Sequence, residues 1–371
     1  MTREETIARI TISFLPEMKA NVIRNCLAAG ITAEDFIGFG LNPETMPEVC
    51  QSLKSMLNHV PEALKRAETE YKFVSAHNIR VYSLFDDDYP WLLRQVPDAP
   101  VTLYQLGNLD LNLDHVIAMV GTRKCTTYGV SFCENLIEEL SGDLSNLVVV
   151  SGLAYGIDAA SHVAALNNNI PTCAVVAHGL DMIYPSSHRD LARKIIMSGG
   201  AIISEYPSHT TPFAGRFLER NRIVAGLSNL TVVVESEVKG GAMSTANSAF
   251  SYSREVAALP GRCSDKASAG CNYLIRKNKA SLVTCAKDIL ELMGWKSRSE
   301  KIMPKQVNLF PELEGDSSVI YEFLNKCSEP VTIDVLHEGI KISVPQLMAA
   351  LTELEFDSII QRLPGNRYCL V

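Results

Sequence analysis

Val116-Ile117-Ala118-Met119-Val120 runs directly into Gly121-Thr122-Arg123, and this stretch decides the fold. The first five residues are apolar and rich in β-branched side chains, which predicts a strand buried on both faces. Beyond Tyr128-Gly129, the residues Val130, Cys133, Leu136, Ile137 and Leu140 recur at helical spacing. The unit is therefore strand, turn and amphipathic helix, with an arginine in the turn. Such a turn places backbone N–H groups and a guanidinium at the carboxyl edge of a sheet, where a helix N-terminus favours anions.

The same unit repeats along residues 114–295. Apolar runs at Val116–Val120, Leu147–Val150, Thr172–Ala177, Ala201–Ser204, Leu230–Val234, Val256–Leu259 and Ser281–Val283 alternate with helical patterns. Continuous apolar runs separated by helices predict a mainly parallel, doubly wound Rossmann-like α/β sheet. In such a sheet ligands bind outside the carboxyl ends of the strands, so the loops carry the function. The first loop supplies Gly121, Thr122 and Arg123, and the second supplies Ser151 and Gly152 ahead of Asp158. The third passes through Tyr184-Pro185 to His188 and Arg189, and the fourth leads to Phe217 and Arg220-Asn221-Arg222. The fifth is Lys239-Gly240-Gly241 at the start of another helix. The expectation is that these cations and bare amides converge on one edge and hold phosphates. Arg222 fits equally well as a structural ion-pair partner, since Ile223 and Val224 follow it on an apolar pattern. Asp158 and Glu205 fit helix caps or partners of those arginines better than acid–base catalysts.

The flanks read as smaller modules. Residues 1–75 form a helical domain of the helix-hairpin-helix or SAM type: Leu15, Met18, Val22, Ile23 and Leu27 share one face, with Gly30 as a stop. A second helix opens at Pro61 and carries Leu64, Ala67, Tyr71 and Val74. Residues 76–113 are proline-punctuated and extended, a strand-rich adaptor. Asp86, Asp87 and Asp88 within it read as a solvated turn, not a metal site. Residues 296–315 lack apolar periodicity and read as a linker. Residues 316–371 read as a winged helix, with helices near 317–327 and 332–338, a third opened by Ser343 and Pro345, and a hairpin around Pro364-Gly365-Asn366. Its third helix holds Glu353 and Glu355 and no Lys or Arg, so a protein contact suits it better than duplex DNA.

The totals exclude several classes. The 371 residues contain no run of eighteen apolar residues and no signal-peptide layout at the N-terminus, so the protein is expected in the cytoplasm. Ten scattered cysteines without a CxxC pair read as reduced thiols, and eight histidines without HExxH give no metal centre. The net charge of −8 is carried by the flanks. Residues 1–113 hold ten basic and fifteen acidic groups, whereas residues 114–294 hold sixteen of each. Phosphate affinity depends on where the cations lie, so a local basic groove remains compatible with the acidic total. No G-x-x-x-x-G-K-[ST], no G-x-G-x-x-G after the first strand and no G-x-S-x-G occur, which argues against ATP, dinucleotide and hydrolase chemistry.

Taken together, the loop sequences resemble the DNA-processing protein family DprA, also called Smf. The resemblance rests on Val120-Gly121-Thr122-Arg123 with Tyr128-Gly129, on Ser151 through Asp158, on Gly179-Leu180-Asp181 with Tyr184-Pro185, and on Ser204-Glu205-Tyr206. It continues through Arg220-Asn221-Arg222-Ile223-Val224-Ala225-Gly226-Leu227-Ser228, Lys239-Gly240-Gly241, Pro260-Gly261 and Gly270-Cys271-Asn272-Tyr273-Leu274-Ile275. It implies a bacterial protein without catalytic activity or cofactor that binds single-stranded DNA and helps load the recombinase RecA, as in natural transformation. It also implies a homodimer formed through the Rossmann domain. On matching positions the phosphate contacts would come from Arg123, Asn221 and Lys239, with Arg189 an approximate match to the family's lysine after Tyr-Pro. The sequence departs from the family in Thr122, where serine is common, and in Gly241-Ala242-Met243-Ser244. Tyr155, Tyr184, His188 and Phe217 are candidates for stacking on bases. The alternative is a nucleotide-binding phosphoribohydrolase of the lysine-decarboxylase-like group, but its Pro-Gly-Gly-x-Gly-Thr motif is missing from the matching region.

Overall fold

A computed structural model describes residues 2–45, 47, 53–298, 313, 315–327, 329–357, 359–363 and 366–370. These residues fall into two compact units, Met1–Ile289 and Leu290–Val371.

The larger unit is built on a sheet of nine strands: β1 (Arg80–Ser83), β2 (Thr102–Gly107), β3 (His115–Val120), β4 (Leu147–Ser151), β5 (Thr172–Val175), β6 (Ala201–Ser204), β7 (Leu230–Val233), β8 (Glu255–Ala258) and β9 (Ser281–Leu282). Their spatial order is β1-β2-β6-β5-β4-β3-β7-β8-β9. From β6 to β9 every neighbouring pair is parallel, whereas β1 and β2 extend the sheet antiparallel beyond β6. The doubly wound sheet expected from the apolar runs is therefore present. The two strands of the proline-punctuated segment 76–113 belong to that same sheet. Every residue of β4, β5, β6 and β7 is buried, which is why these strands read as continuous apolar runs and not as alternating ones.

The helices complete both faces. Helix Thr127–Asp143 starts on Thr126, whose hydroxyl accepts from the Gly129 amide, and buries Phe132, Cys133, Leu136, Ile137 and Leu140. Each such side chain contributes about 1.5–3 kcal/mol on burial, so this face is what ties the helix to the sheet. Strand order reverses between β3 and β7: β4, β5 and β6 lie to one side and β8 and β9 to the other. Successive connections leave this point towards opposite faces and open a crevice between them.

The N-terminal residues form helices as expected, with shifted boundaries. The helices are Arg3–Ser13, Ala20–Ala28, Ala33–Leu41, Lys54–Leu57 and Val60–Ala76. Leu15 and Met18 lie between the first two, and Leu27 is exposed, so the buried face of the second helix is Ala20, Ile23 and Cys26. The expected face is broken because the turn at Pro16-Glu17 separates Leu15 and Met18 from the second helix. These helices share a core with the segment 82–111 and with the sheet. The aspartate triplet is engaged by arginines: Asp86 accepts from Arg9 at 2.5 Å and Asp88 from Arg80 at 2.8 Å. Among the described residues no acidic, histidine or cysteine cluster could hold a metal ion.

The smaller unit contains helices Asp316–Asn325, Ile333–Ile340 and Val344–Phe356, with strands β10 (Val331–Thr332), β11 (Ile360–Leu363) and β12 (Arg367–Leu370) in the order β10-β12-β11. This is the expected winged helix. Its core is Ile320, Leu324, Leu336, Leu347, Leu351 and Leu354 against Ile360 and Tyr368. Residues 299–312 and 314 of the expected linker, and Pro364-Gly365 of the expected turn, lie outside the described residues.

Candidate nucleic-acid interface

A cleft of about 780 Å³ opens at the carboxyl edge of the sheet, around the point where strand order reverses. Five successive strands send a connection to it. Gly121, Thr122, Arg123 and Lys124 come from the loop after β3, and Gly152, Ala154 and Asp158 from the loop after β4. Tyr184 follows β5, Phe213, Phe217, Arg220 and Asn221 follow β6, and Ser236, Glu237, Gly240 and Gly241 follow β7.

The loops are fixed against one another before any ligand arrives. The Thr122 amide donates to the Glu235 carbonyl at 2.7 Å, and the Thr122 carbonyl accepts from the Ile157 amide at 3.2 Å. A Cβ on Gly121 would sit 2.8 Å from Ile157 Cβ, and one on Gly156, at φ +77°, would sit 2.2 Å from the Thr122 carbonyl oxygen. Only glycine lets these two turns stack so closely. Glu235, 1% exposed, accepts the Thr126 amide at 2.9 Å and the Thr126 hydroxyl at 2.5 Å. The N-terminus of helix Thr127–Asp143 is thus occupied by a carboxylate of the protein itself, which leaves Arg123 and Lys124 as the cations of this loop at the cleft.

Arg123 is exposed at the cleft, and its guanidinium lies over the Phe217 ring, 5.3 Å from the centroid. Arg220 is buried at 4% exposure, and its Nη1 donates to the Val175 carbonyl. A Cβ on Gly152 would fall 1.9 Å from that Nη1, so the missing side chain at 152 makes room for an arginine, not for a ligand backbone. Burial lowers the pKa of Arg220, opposed by the nearby charge of Asp158, and burial raises that of Asp158, opposed by Arg220 and by the amides of Ala154 and Gly152. The two form the charged floor of the cleft. Asn221 donates to the Gly241 carbonyl at 3.2 Å and so joins the fourth loop to the fifth.

Eight of the residues expected at the site meet here: Gly121, Thr122, Arg123, Gly152, Arg220, Asn221, Gly240 and Gly241. Four do not line the cleft. Ser151 is fully buried and donates to the Met119 carbonyl at 2.6 Å, bracing β4 against β3. Arg222 pairs with Glu205 and donates to the Asp98 carbonyl at 2.7 Å, so of its two readings the structural ion pair holds. Side chains 220 and 222 diverge because two residues along a helix are about 200° apart. Arg189 opens helix Arg189–Met197 and is exposed outside the cleft, and Lys239 is exposed beside Gly240. Of the stacking candidates, Tyr184 and Phe217 line the cleft, with ring centroids 5.8 Å apart. Tyr155 and His188 pack on each other instead, at 4.9 Å.

Three contributors were not anticipated. Lys124 adjoins Arg123, Phe213 is an exposed aromatic ahead of helix Ala214–Gly226, and Glu235 is a buried acid two residues past the apolar strand β7, behind the cleft lining. The last is the clearest signal, because a carboxylate just past the end of a buried strand needs donors from a neighbouring loop.

Comparison with known proteins follows the same outline. The family described as DNA recombination-mediator protein A matches residues 80–294, and the DprA winged helix domain matches residues 308–366. The chain belongs to the DprA (Smf) family. Protein Smf of Escherichia coli (strain K12) is 33% identical over 307 residues, covering 81% of this chain and 80% of that protein. The DNA processing protein DprA of Streptococcus pneumoniae is 41% identical over 209 residues, 56% of this chain and 72% of its own. The X-ray structure of the S. pneumoniae DprA superposes with a TM-score of 0.59 at 31% identity, over 78% of this chain and 98% of that one. A DprA from Helicobacter pylori, solved to describe its single-stranded DNA binding mode, gives a TM-score of 0.52 at 29% identity over 59% and 96%. The family match over residues 80–294 thus spans all nine strands of the sheet, β1 to β9, as one continuous block.

Proposed function

We propose that this chain binds single-stranded DNA in the cleft at the sheet edge and presents it to a RecA-type recombinase, without catalysing a reaction. The observation that carries this reading is the convergence of Arg123, Lys124, Arg220, Asn221 and the Gly240-Gly241 turn from separate loops on one cleft with aromatic walls. Guanidinium, ammonium and amide groups suit phosphates, while Tyr184, Phe213 and Phe217 suit bases, worth about 1–3 kcal/mol for each base stacked. A single strand exposes both kinds of group at once. The H. pylori relative's single-stranded DNA binding and the recombination-mediator description of the family support the same assignment. Arg123 and Asn221 would hold phosphates, with Lys239 and Arg189 extending the track outside the cleft. A homodimer acting in the cytoplasm completes the proposal; among the described residues no helix is long and apolar enough to cross a membrane.

The test is a retardation series with single- and double-stranded oligonucleotides at several salt concentrations. Single strands should be preferred and affinity should fall steeply with salt. Absence of any retardation at low salt would sink the reading. For the recombinase step, adding the protein should speed RecA filament growth on strands coated with single-strand-binding protein, and no acceleration would remove that part.

A further inference from the structure

The N-terminal helices take no part in the binding account above, yet one of their residues holds the connection that leads into the wall of the cleft. Helix Val60–Ala76 buries a stripe of Val60, Ala63, Ala67 and Val74, and Glu70 stands on that stripe at 6% exposure. A carboxylate on an apolar helix face is costly unless its oxygens are hydrogen-bonded. Here both are satisfied by one residue across the chain. The Ser208 amide donates to Oε1 at 2.8 Å and the Ser208 hydroxyl to Oε2 at 2.5 Å.

Ser208 lies in the connection that carries Pro212 and Phe213 to the cleft and then enters helix Ala214–Gly226, the bearer of Arg220 and Asn221. The opposite side of this connection is tied to the sheet. The His209 amide donates to Asp181 at 2.9 Å, and the Gly179 amide donates to the Thr210 carbonyl at 2.9 Å. Farther along, the Arg216 guanidinium lies over the Tyr206 and Phe213 rings, at 5.3 and 4.7 Å from their centroids. Glu70 therefore supplies the anchor from the N-terminal side to a wall whose other anchors come from the Rossmann domain.

We propose that the N-terminal helical segment is a positioning element of the DNA cleft, acting through the Glu70–Ser208 clasp to hold the Phe213 wall. The proposal rests on the cleft being the DNA site. Charge and clasp make opposite predictions at this position. A buried negative charge near a phosphate site opposes binding, so electrostatics alone has Glu70→Ala bind DNA more tightly. The clasp has the same change bind more weakly, because the wall loses two hydrogen bonds to a charged group.

The experiment uses the full chain, an oligothymidylate probe, and the variants Glu70→Ala, Glu70→Gln and Phe213→Ala. Glu70→Ala should weaken binding by roughly five-fold, with an unchanged salt slope because no phosphate contact is lost. Glu70→Gln, which keeps an acceptor for the Ser208 amide and drops the charge, should restore binding to wild-type strength or better. In a Phe213→Ala background the Glu70→Ala change should have no further effect, whereas a general loss of stability would add to it. Amide exchange across residues 208–214 should quicken in Glu70→Ala. Equal or tighter binding by Glu70→Ala, or additivity with Phe213→Ala, would overturn the proposal. If the wild-type chain fails to bind the probe, the DNA reading falls, and unaltered exchange across 208–214 would by itself dispose of the clasp.

Discussion

The cleft and the winged helix carry their charges very differently. At the cleft, Arg123, Lys124 and Arg220 stand among glycine turns and aromatic rings. In the winged helix, the third helix, Val344–Phe356, contains no Lys or Arg, carries Glu353 and Glu355, and exposes Met348 at 41% and Phe356 at 89%. A winged helix is a common DNA-binding architecture, whereas the cleft belongs to a sheet type better known for nucleotides. The cations reverse that expectation. An acidic and apolar helix releases no counterions from a phosphate backbone, while a few well-placed cations in a groove do. The position of the guanidinium groups, not the fold type, is therefore what favours the cleft over the winged helix as the proposed DNA surface.

Four measurements would break or sharpen this contrast. The largest effect is on stability and belongs to the arginine that pairs with Glu205. Arg222→Ala leaves Glu205 buried without its partner and should cost about 3 kcal/mol in urea unfolding, with the salt slope of DNA binding unchanged. A changed slope would mean that Arg222 contacts phosphate after all. Arg123→Ala should do the reverse: melting stays within a degree or two, affinity for an oligonucleotide drops roughly ten-fold, and the salt slope falls by about 1. An unchanged slope would move the phosphate track away from this loop.

The third measurement is an acid titration. Burial pushes the pKa of His162 down to about 3, helped by the charges of His188 and Arg220, and burial lowers that of His178 as well. In the unfolded chain these groups take up protons near pH 6.5, so protonation favours unfolding. The stability of the sheet unit should be complete above about pH 6.5 and should fall as pH drops from there towards 3, by up to about 1.4 kcal/mol per unit for His162, with His178 acting in the same direction. A urea midpoint that stays constant from pH 7 to 5 would contradict this, and His162→Leu should flatten the slope. The smallest effect belongs to the winged helix. Phe356→Ser should leave oligonucleotide affinity unchanged within error, and a loss of several-fold would give this helix a share in DNA binding.

Much of the fold was legible because burial on both faces imposes a simple pattern. The runs at 116–120, 147–150 and 230–234 had to be central strands, and the glycines at 121, 156 and 240 had to mark turns. The attachment of β1 and β2 to the same sheet was not legible. Antiparallel edge pairing depends on which strand is left uncovered, and proline-rich segments carry no signal of their neighbour. At the site, the sequence could nominate Arg220 and Arg222 together but could not separate them. One lies on the cleft floor over Gly152 and the other pairs with Glu205, a difference set by helix rotation and by what each side chain meets.

From the sequence alone came the doubly wound sheet, the winged helix and the set of cation-bearing loops, because hydrophobic period and turn chemistry are local properties of the chain. Tertiary structure alone decided that Ser151 braces two strands, that Glu235 occupies a helix N-terminus, and that Glu70 reaches Ser208 across 138 positions. Each of these is a polar group whose burial demands a partner, and the partner is chosen by packing in three dimensions, which no local pattern records.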